Sequence, residues 1–341
     1  MSTGINPFTE RGRITNPERF TGRWRELSLI FDKLEQGRPV MIAGSPGVGK
    51  SSLLTHVAQA AAAVLEEPNL DTLYLDLAVL DSTTQCYKLI VEALGNAGHS
   101  PAALEVALLD APDPVLICLD NVNSAVAAGW GEEVLNRLGR LARSGAAFRT
   151  GGPLDKGAID LLLVAAAEGQ APALSENYAA VALGAFASSE IRLFTEAYLD
   201  GTGVKFSAGE VASLERLSAG HPAYLQRAAY HLYLAYMRPD YNWQTAYLEE
   251  ARTAPIAGAP LPPAVFEGEQ SSSESSRYGD MGGAPLPGEL PIRIDIASMR
   301  DVGLVLAVCA AALIAYQLFG NLWLALTVLV VGIAAVIGIG R

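Results

Sequence analysis

Gly44-Ser45-Pro46-Gly47-Val48-Gly49-Lys50-Ser51 carries Gly-x-x-x-x-Gly-Lys-Ser, a spacing of residue types suited to holding a row of phosphates. The glycines let the backbone curl so that successive N–H groups face phosphate oxygens. Lys50 brings a point charge to the terminal phosphates, and the Ser51 hydroxyl can ligate Mg²⁺. The pattern needs a strand before it and a helix after it. The apolar run Val40-Met41-Ile42-Ala43 and the stretch opening at Lys50-Ser51-Ser52-Leu53-Leu54 supply both, so the helix would present its positive end to the anion. The expectation is a nucleoside triphosphate site with Mg²⁺, in which Gly44 to Ser52 cradle the phosphates.

Hydrolysis requires a second element, a strand ending in an acid that holds the metal, usually followed by a carboxylate that takes a proton from the attacking water. Pro114-Val115-Leu116-Ile117-Cys118-Leu119-Asp120-Asn121 provides the strand and assigns Asp120 to Mg²⁺ beside Ser51. Asn121 stands where the carboxylate is expected, and an amide can orient water but cannot accept its proton. The catalytic set is therefore Lys50, Asp120 and Asn121, with slow turnover. Asp76, ending the run Leu73-Tyr74-Leu75, either lies near the phosphates or starts a turn. Arg137, Arg140 and Arg143 recur at helical spacing, fit either for a solvated face or for one arginine acting in trans within a homo-oligomer.

The elements that must position these groups alternate. Strands are expected over 40–43, 73–77, 115–119 and 161–165, and helices over 23–35, 50–65, 84–94 and 132–143, the pattern of a parallel sheet covered by helices. Residues 186–237 read as helical, punctuated at Gly201-Thr202-Gly203 and Ser218-Ala219-Gly220, and make a helical lid. From Thr253 to about Ala297 the composition turns to Pro, Gly, Ser and acid, which cannot bury enough apolar surface to offset ordering, so a flexible tether is expected.

Half of the 341 residues are hydrophobic, and much of that excess lies near the C-terminus. Val302 to Gly340 contains no Asp, Glu, Lys, Arg or His and divides at Gln317-Leu318-Phe319-Gly320-Asn321. Each arm can cross a hydrocarbon layer of roughly 30 Å, which predicts a transmembrane hairpin. Arg293, Arg300 and Arg341 flank it and favour both ends inside. Met1-Ser2-Thr3-Gly4-Ile5-Asn6-Pro7 has neither the basic nor the apolar part of a secretory leader, which places the phosphate-loop domain in the cytosol at the cytoplasmic membrane. Cys86, Cys118 and Cys309 show no metal spacing, as suits a reducing compartment, and a net charge of −12 argues against nucleic acid as a partner.

Three segments together resemble a known group. Asn6-Pro7-Phe8, the run Ile14-Thr15-Asn16-Pro17-Glu18-Arg19-Phe20-Thr21-Gly22-Arg23-Trp24-Arg25-Glu26-Leu27, and the phosphate loop are similar to bacterial AAA-like and STAND-type P-loop signalling ATPases related to origin-recognition ATPases. The resemblance implies that Phe20, Thr21, Gly22 and Arg23 pack on adenine. It implies likewise that Gly220-His221-Pro222 is the lid motif that closes over the nucleotide, bringing His221 and Pro222 to the ligand. It implies ATP and ADP as ligands, and a role in signalling or defence. Two departures accompany it: Asn121 in place of an acid, and a fourth strand, Leu161 to Ala166, ending in alanine where a polar sensor of the terminal phosphate is usual. The repeat-built sensor domain of such proteins is also lacking, which leaves sensing to an unknown protein partner.

The expected fold class is α/β: a three-layer P-loop NTPase core over 1–183, a helical lid over 184–252, a linker over 253–299 and two transmembrane helices over 300–341. The expected function is a membrane-anchored ATP-binding switch with slow hydrolysis. A non-hydrolysing nucleotide-binding membrane scaffold and an ATPase energising a membrane secretion or envelope machine are the alternatives. The hairpin has a direct test. A tag after Arg341 should resist external protease in intact cells while one inserted at Gly320 is cut, and the reverse result for the terminal tag would replace the hairpin by a single crossing.

Overall fold

Strands buried on both faces read as nearly continuous apolar runs, and the sheet is built from such runs. The computed structural model describes residues 5–149, 159–169 and 177–266. Within them, β1 (Val40–Gly44), β2 (Asp71–Asp76), β3 (Val115–Asp120), β4 (Leu161–Glu168) and β5 (Ala179–Ala182) lie parallel in the order β2-β3-β4-β1-β5. The first four agree with the expected strands; β5, a short alanine-rich edge strand, carried no comparable signal.

Parallel strands need long crossovers, and these are helices. α1 (Trp24–Glu35) precedes β1, and α2 (Lys50–Val64) follows the phosphate loop. Then come α3 (Thr83–Ala93) and α4 (Pro101–Asp110), the latter not anticipated because its Ala- and Leu-rich sequence shows little periodicity. The short α5 (Val122–Ala127) and α6 (Gly131–Arg149) follow β3.

Period-two alternation sorts the strand side chains into two layers. Val115, Ile117, Leu119, Leu161, Leu163, Ala165 and Ala167 pack with α3 to α6, whereas Leu116, Cys118, Leu162, Val164 and Ala166 pack with α1 and α2. Each large aliphatic side chain so buried contributes about 1.5–3 kcal/mol relative to exposure. The core is therefore three-layered, as expected.

A separate aromatic core builds the helical part from α7 (Ser188–Leu199), α8 (Ala208–Ser218), α9 (Pro222–Met237) and α10 (Trp243–Thr253). Its centre is Phe8, fully buried, with ring centroids 5.3 Å from Tyr198 and 5.8 Å from Phe206 in stacked pairs. Packing does not stop at Thr253, where composition turns tether-like: Ala264 and Val265 are buried in this same core. The rest of the expected tether and the hairpin, 267–341, lie outside the described residues. Among the described residues no helix is long and apolar enough to cross a membrane.

The junction between the two parts is set by Gly220. Ala219 and Gly220 both have positive φ, 51° and 70°, ending α8, and Pro222 opens α9. The Gly220 carbonyl accepts a 2.8 Å hydrogen bond from the Phe186 N–H, and a Cβ on Gly220 would lie 2.6 Å from the Phe186 carbonyl oxygen. Gly220→Ala is therefore expected to lower stability by about 1–3 kcal/mol, read by urea unfolding; a change under about 0.5 kcal/mol would show that the junction relaxes freely.

Candidate functional site

The phosphate loop closes β1 into α2 with two left-handed glycines, Gly47 at φ 75° and Gly49 at φ 96°, the latter at the helix N-cap. Gly44 is glycine for space rather than φ: a Cβ there would meet the Leu183 carbonyl oxygen at 2.4 Å. Lys50 is nearly buried and donates 2.9 Å to the Ser45 carbonyl. Burial lowers its ammonium pKa below the usual lysine value, and the charges of Glu168 and Asp120 oppose that shift. Ser52 is held by accepting a 3.0 Å bond from the Ile14 N–H.

Ser51 and Asp120 meet. The Ser51 Oγ donates 3.1 Å to Asp120 Oδ1, while Tyr74 Oη donates 2.6 Å to Oδ2, so both carboxylate oxygens are fixed. Arg13 lies over the Tyr74 ring at 4.7 Å and hydrogen-bonds that side chain, which raises the guanidinium pKa. Burial, then the bond to Asp120, pushes the Tyr74 phenol pKa up, so the phenol remains a donor. Tyr74 belongs to β2, and only its position in an apolar run one strand from the site could have announced it.

Asn121 has φ 55° and directs its amide sideways, donating 2.7 Å to Asp76 Oδ1. Asp76 also accepts 3.0 Å from the Ala78 N–H, so it is a turn cap that pins Asn121; among the described residues it does not line the cavity. The fourth strand does not end in alanine as expected. It continues to Glu168, in register with Gly44, because Ala165, Ala166 and Ala167 are small strand residues buried between helix layers.

Beside the loop lies a cavity of about 430 Å³. Phe20, Thr21, Arg23, Gly47, Val48, Gly49, Lys50, Ser51, Ser52, Asn121 and Pro222 line it, so most of the expected residues converge. Gly22, Gly44, Ser45, Pro46, Asp120 and His221 adjoin it without lining it. Phe20 stacks on His56 at 4.3 Å and 11°. Arg23, 4% exposed and with positive φ, donates to the carbonyls of Val48 at 3.2 Å and Gly184 at 2.6 Å and lies 4.5 Å over Phe186. It is thus a structural clamp between loop, β5 and lid. The cavity was also found to draw on residues that sequence reasoning gave no role: Glu10, Arg11, Gly12 and Arg13 from the N-terminal segment, Gln226 and Arg227 from α9, and Glu168. Five basic side chains against two acidic ones line it, within a chain of net charge −12. That balance suits an anionic ligand.

The helical part touches the loop through His221. Its Nε2 lies 3.0 Å from the Pro46 carbonyl oxygen, an acceptor only, so Nε2 donates and the neutral ring leaves Nδ1 unprotonated, buried and without a hydrogen-bond partner among the described residues. Arg137 pairs with Glu105 at 2.7 Å, outside this site. No cluster of His, Cys, Asp and Glu able to hold a metal by itself occurs among the described residues.

No protein-family model matches the sequence, and no curated protein matches it. In structure, the chain is similar to the Walker-type ATPase of Pyrococcus abyssi, at 14% identity over 95% of this chain and 92% of that one, with a TM-score of 0.53. It is also similar, at 16% identity over 84% of each chain and a TM-score of 0.48, to the ORC1 protein of Aeropyrum pernix in complex with DNA. A STAND protein with a tetratricopeptide repeat sensor from Pyrococcus horikoshii matches at 18% identity over 65% of this chain and 31% of that one, with a TM-score of 0.40. The first likeness establishes an α/β fold of the P-loop ATPase type.

Burial pushes the His221 pKa below its usual value, against the opposing bond to Pro46, and the positive charges of Lys50 and Arg23 act in the same direction as burial. The folded state therefore resists a proton that the unfolded state takes near pH 6.5, and stability is lost as pH falls from that value toward the depressed one. His56 shifts the same way. His221→Gln, which keeps a donor, should flatten the fall in Tm between pH 7.5 and 5; an unchanged slope would remove His221 from the titration.

Proposed function

We propose that this chain binds ATP with Mg²⁺ and acts as a membrane-anchored, nucleotide-dependent molecular switch. The observation that carries the reading is the meeting of Ser51 and Asp120 at 3.1 Å beside a basic cavity at the N-terminal end of α2. A hydroxyl and a carboxylate are hard oxygen ligands suited to Mg²⁺, which supplies charge neutralisation for the phosphates when bound. Lys50 would give up the Ser45 carbonyl for a phosphate oxygen, while the N–H groups of the loop and of the first turn of α2 take the other oxygens. The apolar wall of Phe20 and Phe186 suits a planar base.

The switching part rests on His221. A ligand that draws the loop backbone toward phosphate acts on the Pro46 carbonyl that His221 holds, and so favours one lid position over another. Slow hydrolysis is part of the reading, because the amide of Asn121 is engaged by Asp76 and cannot accept a proton. Anchoring rests on the uncharged stretch from Val302 to Gly340. A role in signalling or defence, a homo-oligomer and an unknown protein partner rest on the family resemblance alone.

Lys50→Ala should weaken ATP binding about tenfold to a hundredfold with the fold intact, since a hydrogen bond to a charged group contributes about 1.5–3 kcal/mol. Asp120→Ala should remove the dependence of binding on Mg²⁺. Calorimetric titration with and without the metal reads both, and parent-like binding by Lys50→Ala would overturn the nucleotide site.

A further inference from the structure

The site has the parts for holding a triphosphate and a metal, yet the position after Asp120 offers no proton acceptor. The strand order names a replacement. Because β4 lies between β1 and β3, its C-terminal end is flanked by the phosphate loop on one side and, two residues beyond the level of Asp120, by Asn123 of α5 on the other. The residue at that end is Glu168, paired in register with Gly44.

Its placement is fixed while its carboxylate is not. Asn123 clamps the Glu168 backbone from both sides, accepting 2.5 Å from its N–H and donating 3.2 Å to its carbonyl. The carboxylate is exposed, lines the cavity together with Lys50 and Ser51, and accepts no hydrogen bond from a described residue. Asp76, the other acid at the strand ends, is used up in capping a turn and in holding Asn121.

Resting on the reading of this site as an ATP site, we propose that Glu168 is the catalytic base. It takes a proton from a water whose oxygen bonds to the γ-phosphorus, while the bond from that phosphorus to the β–γ bridging oxygen breaks and ADP leaves with the electron pair. The proton passes from Glu168 to solvent or to the released phosphate before the next turnover. Asn121 serves instead as a positioning residue that holds the β3 end to the β2 end through Asp76. The acid that hydrolysis calls for after Asp120 is thus carried one strand over.

The test uses the full chain with stoichiometric ATP and Mg²⁺, reading affinity by titration and the identity of the bound nucleotide after quenching. Glu168→Gln should bind ATP within about threefold of the parent but retain it as ATP, with conversion slowed at least a hundredfold, as loss of general-base work implies. Glu168→Asp should restore part of the conversion. Parent-like conversion by Glu168→Gln would overturn the proposal, as would loss of affinity in that variant, which would make Glu168 a binding group. A parent that binds ATP without converting it overturns the base assignment and leaves the binding site standing. A parent that does not bind ATP overturns the nucleotide reading itself.

Discussion

The site depends on one hydrogen bond that reaches across a strand, from Ser51 Oγ to Asp120 Oδ1. Ser51 follows β1 and Asp120 ends β3, but the two strands are not neighbours; β4 separates them. The contact requires the strand ends to lie close to one level, and the registers that bring Gly44 opposite Glu168 and Leu119 opposite Ala165 place the ends of β1 and β3 within two residues of each other across β4. Ligands of open parallel sheets bind at the carboxyl ends of strands, so the same registers that complete the sheet assemble the chemistry. The two oxygens of Asp120 are both engaged, by Ser51 and Tyr74, which makes its orientation a property of the sheet rather than of one flexible side chain.

The N-terminal segment joins what the sheet leaves separate. Phe8 sits in the aromatic core of the helical part, Glu10 accepts 2.8 Å from Gln226 on α9, Arg13 reaches Tyr74 on β2, and the Ile14 N–H binds Ser52 on α2. Seven residues, Phe8 to Ile14, thus carry contacts from the helical part to the core along one wall of the cavity. Arg23 does the same from a second direction, through Glu190, Val48 and Gly184. Burying a guanidinium is costly unless its donors are satisfied, and here three partners, Glu26, Val48 and Gly184, and an aromatic face satisfy them.

Much of this was legible in the sequence because each signal was local. The phosphate loop, the apolar runs of β1, β3 and β4, and the Gly-His-Pro helix junction are each written in consecutive residues. What escaped was non-local or weakly patterned. α4 has apolar residues on nearly every face, β5 is four small residues, and Tyr74 gains its meaning only from a neighbouring strand. The end of β4 was misplaced for a related reason: alanine was read as the close of a strand, whereas small residues are what a strand packed between two helix layers needs at Ala165 to Ala167. Arg23 was expected at the ligand; it lines the cavity and also spends donors on the protein, at Glu26, Val48 and Gly184. Sequence cannot tell a buried clamp from a ligand contact when both call for the same charge.

The helical part is fastened at several points but contacts the phosphate loop at few. Gly47 has no room for a Cβ, which would lie 2.8 Å from His221 Cε1 and 3.2 Å from Ala223 and Ile256. The loop and the first turn of α9 are therefore packed to a tolerance of a few tenths of an ångström. Under the proposed reading that tolerance is the coupling: a shift of the loop toward bound phosphate either carries His221 with it or breaks its bond to Pro46, and an intermediate position would leave the buried ring with no partner on either nitrogen. Interfaces packed in this way have discrete arrangements rather than a continuum, and an unpaired buried donor costs about 1–3 kcal/mol. A nucleotide that favours one arrangement by that amount shifts the populations roughly fivefold to a hundredfold, which suffices for a switch and demands no rapid turnover.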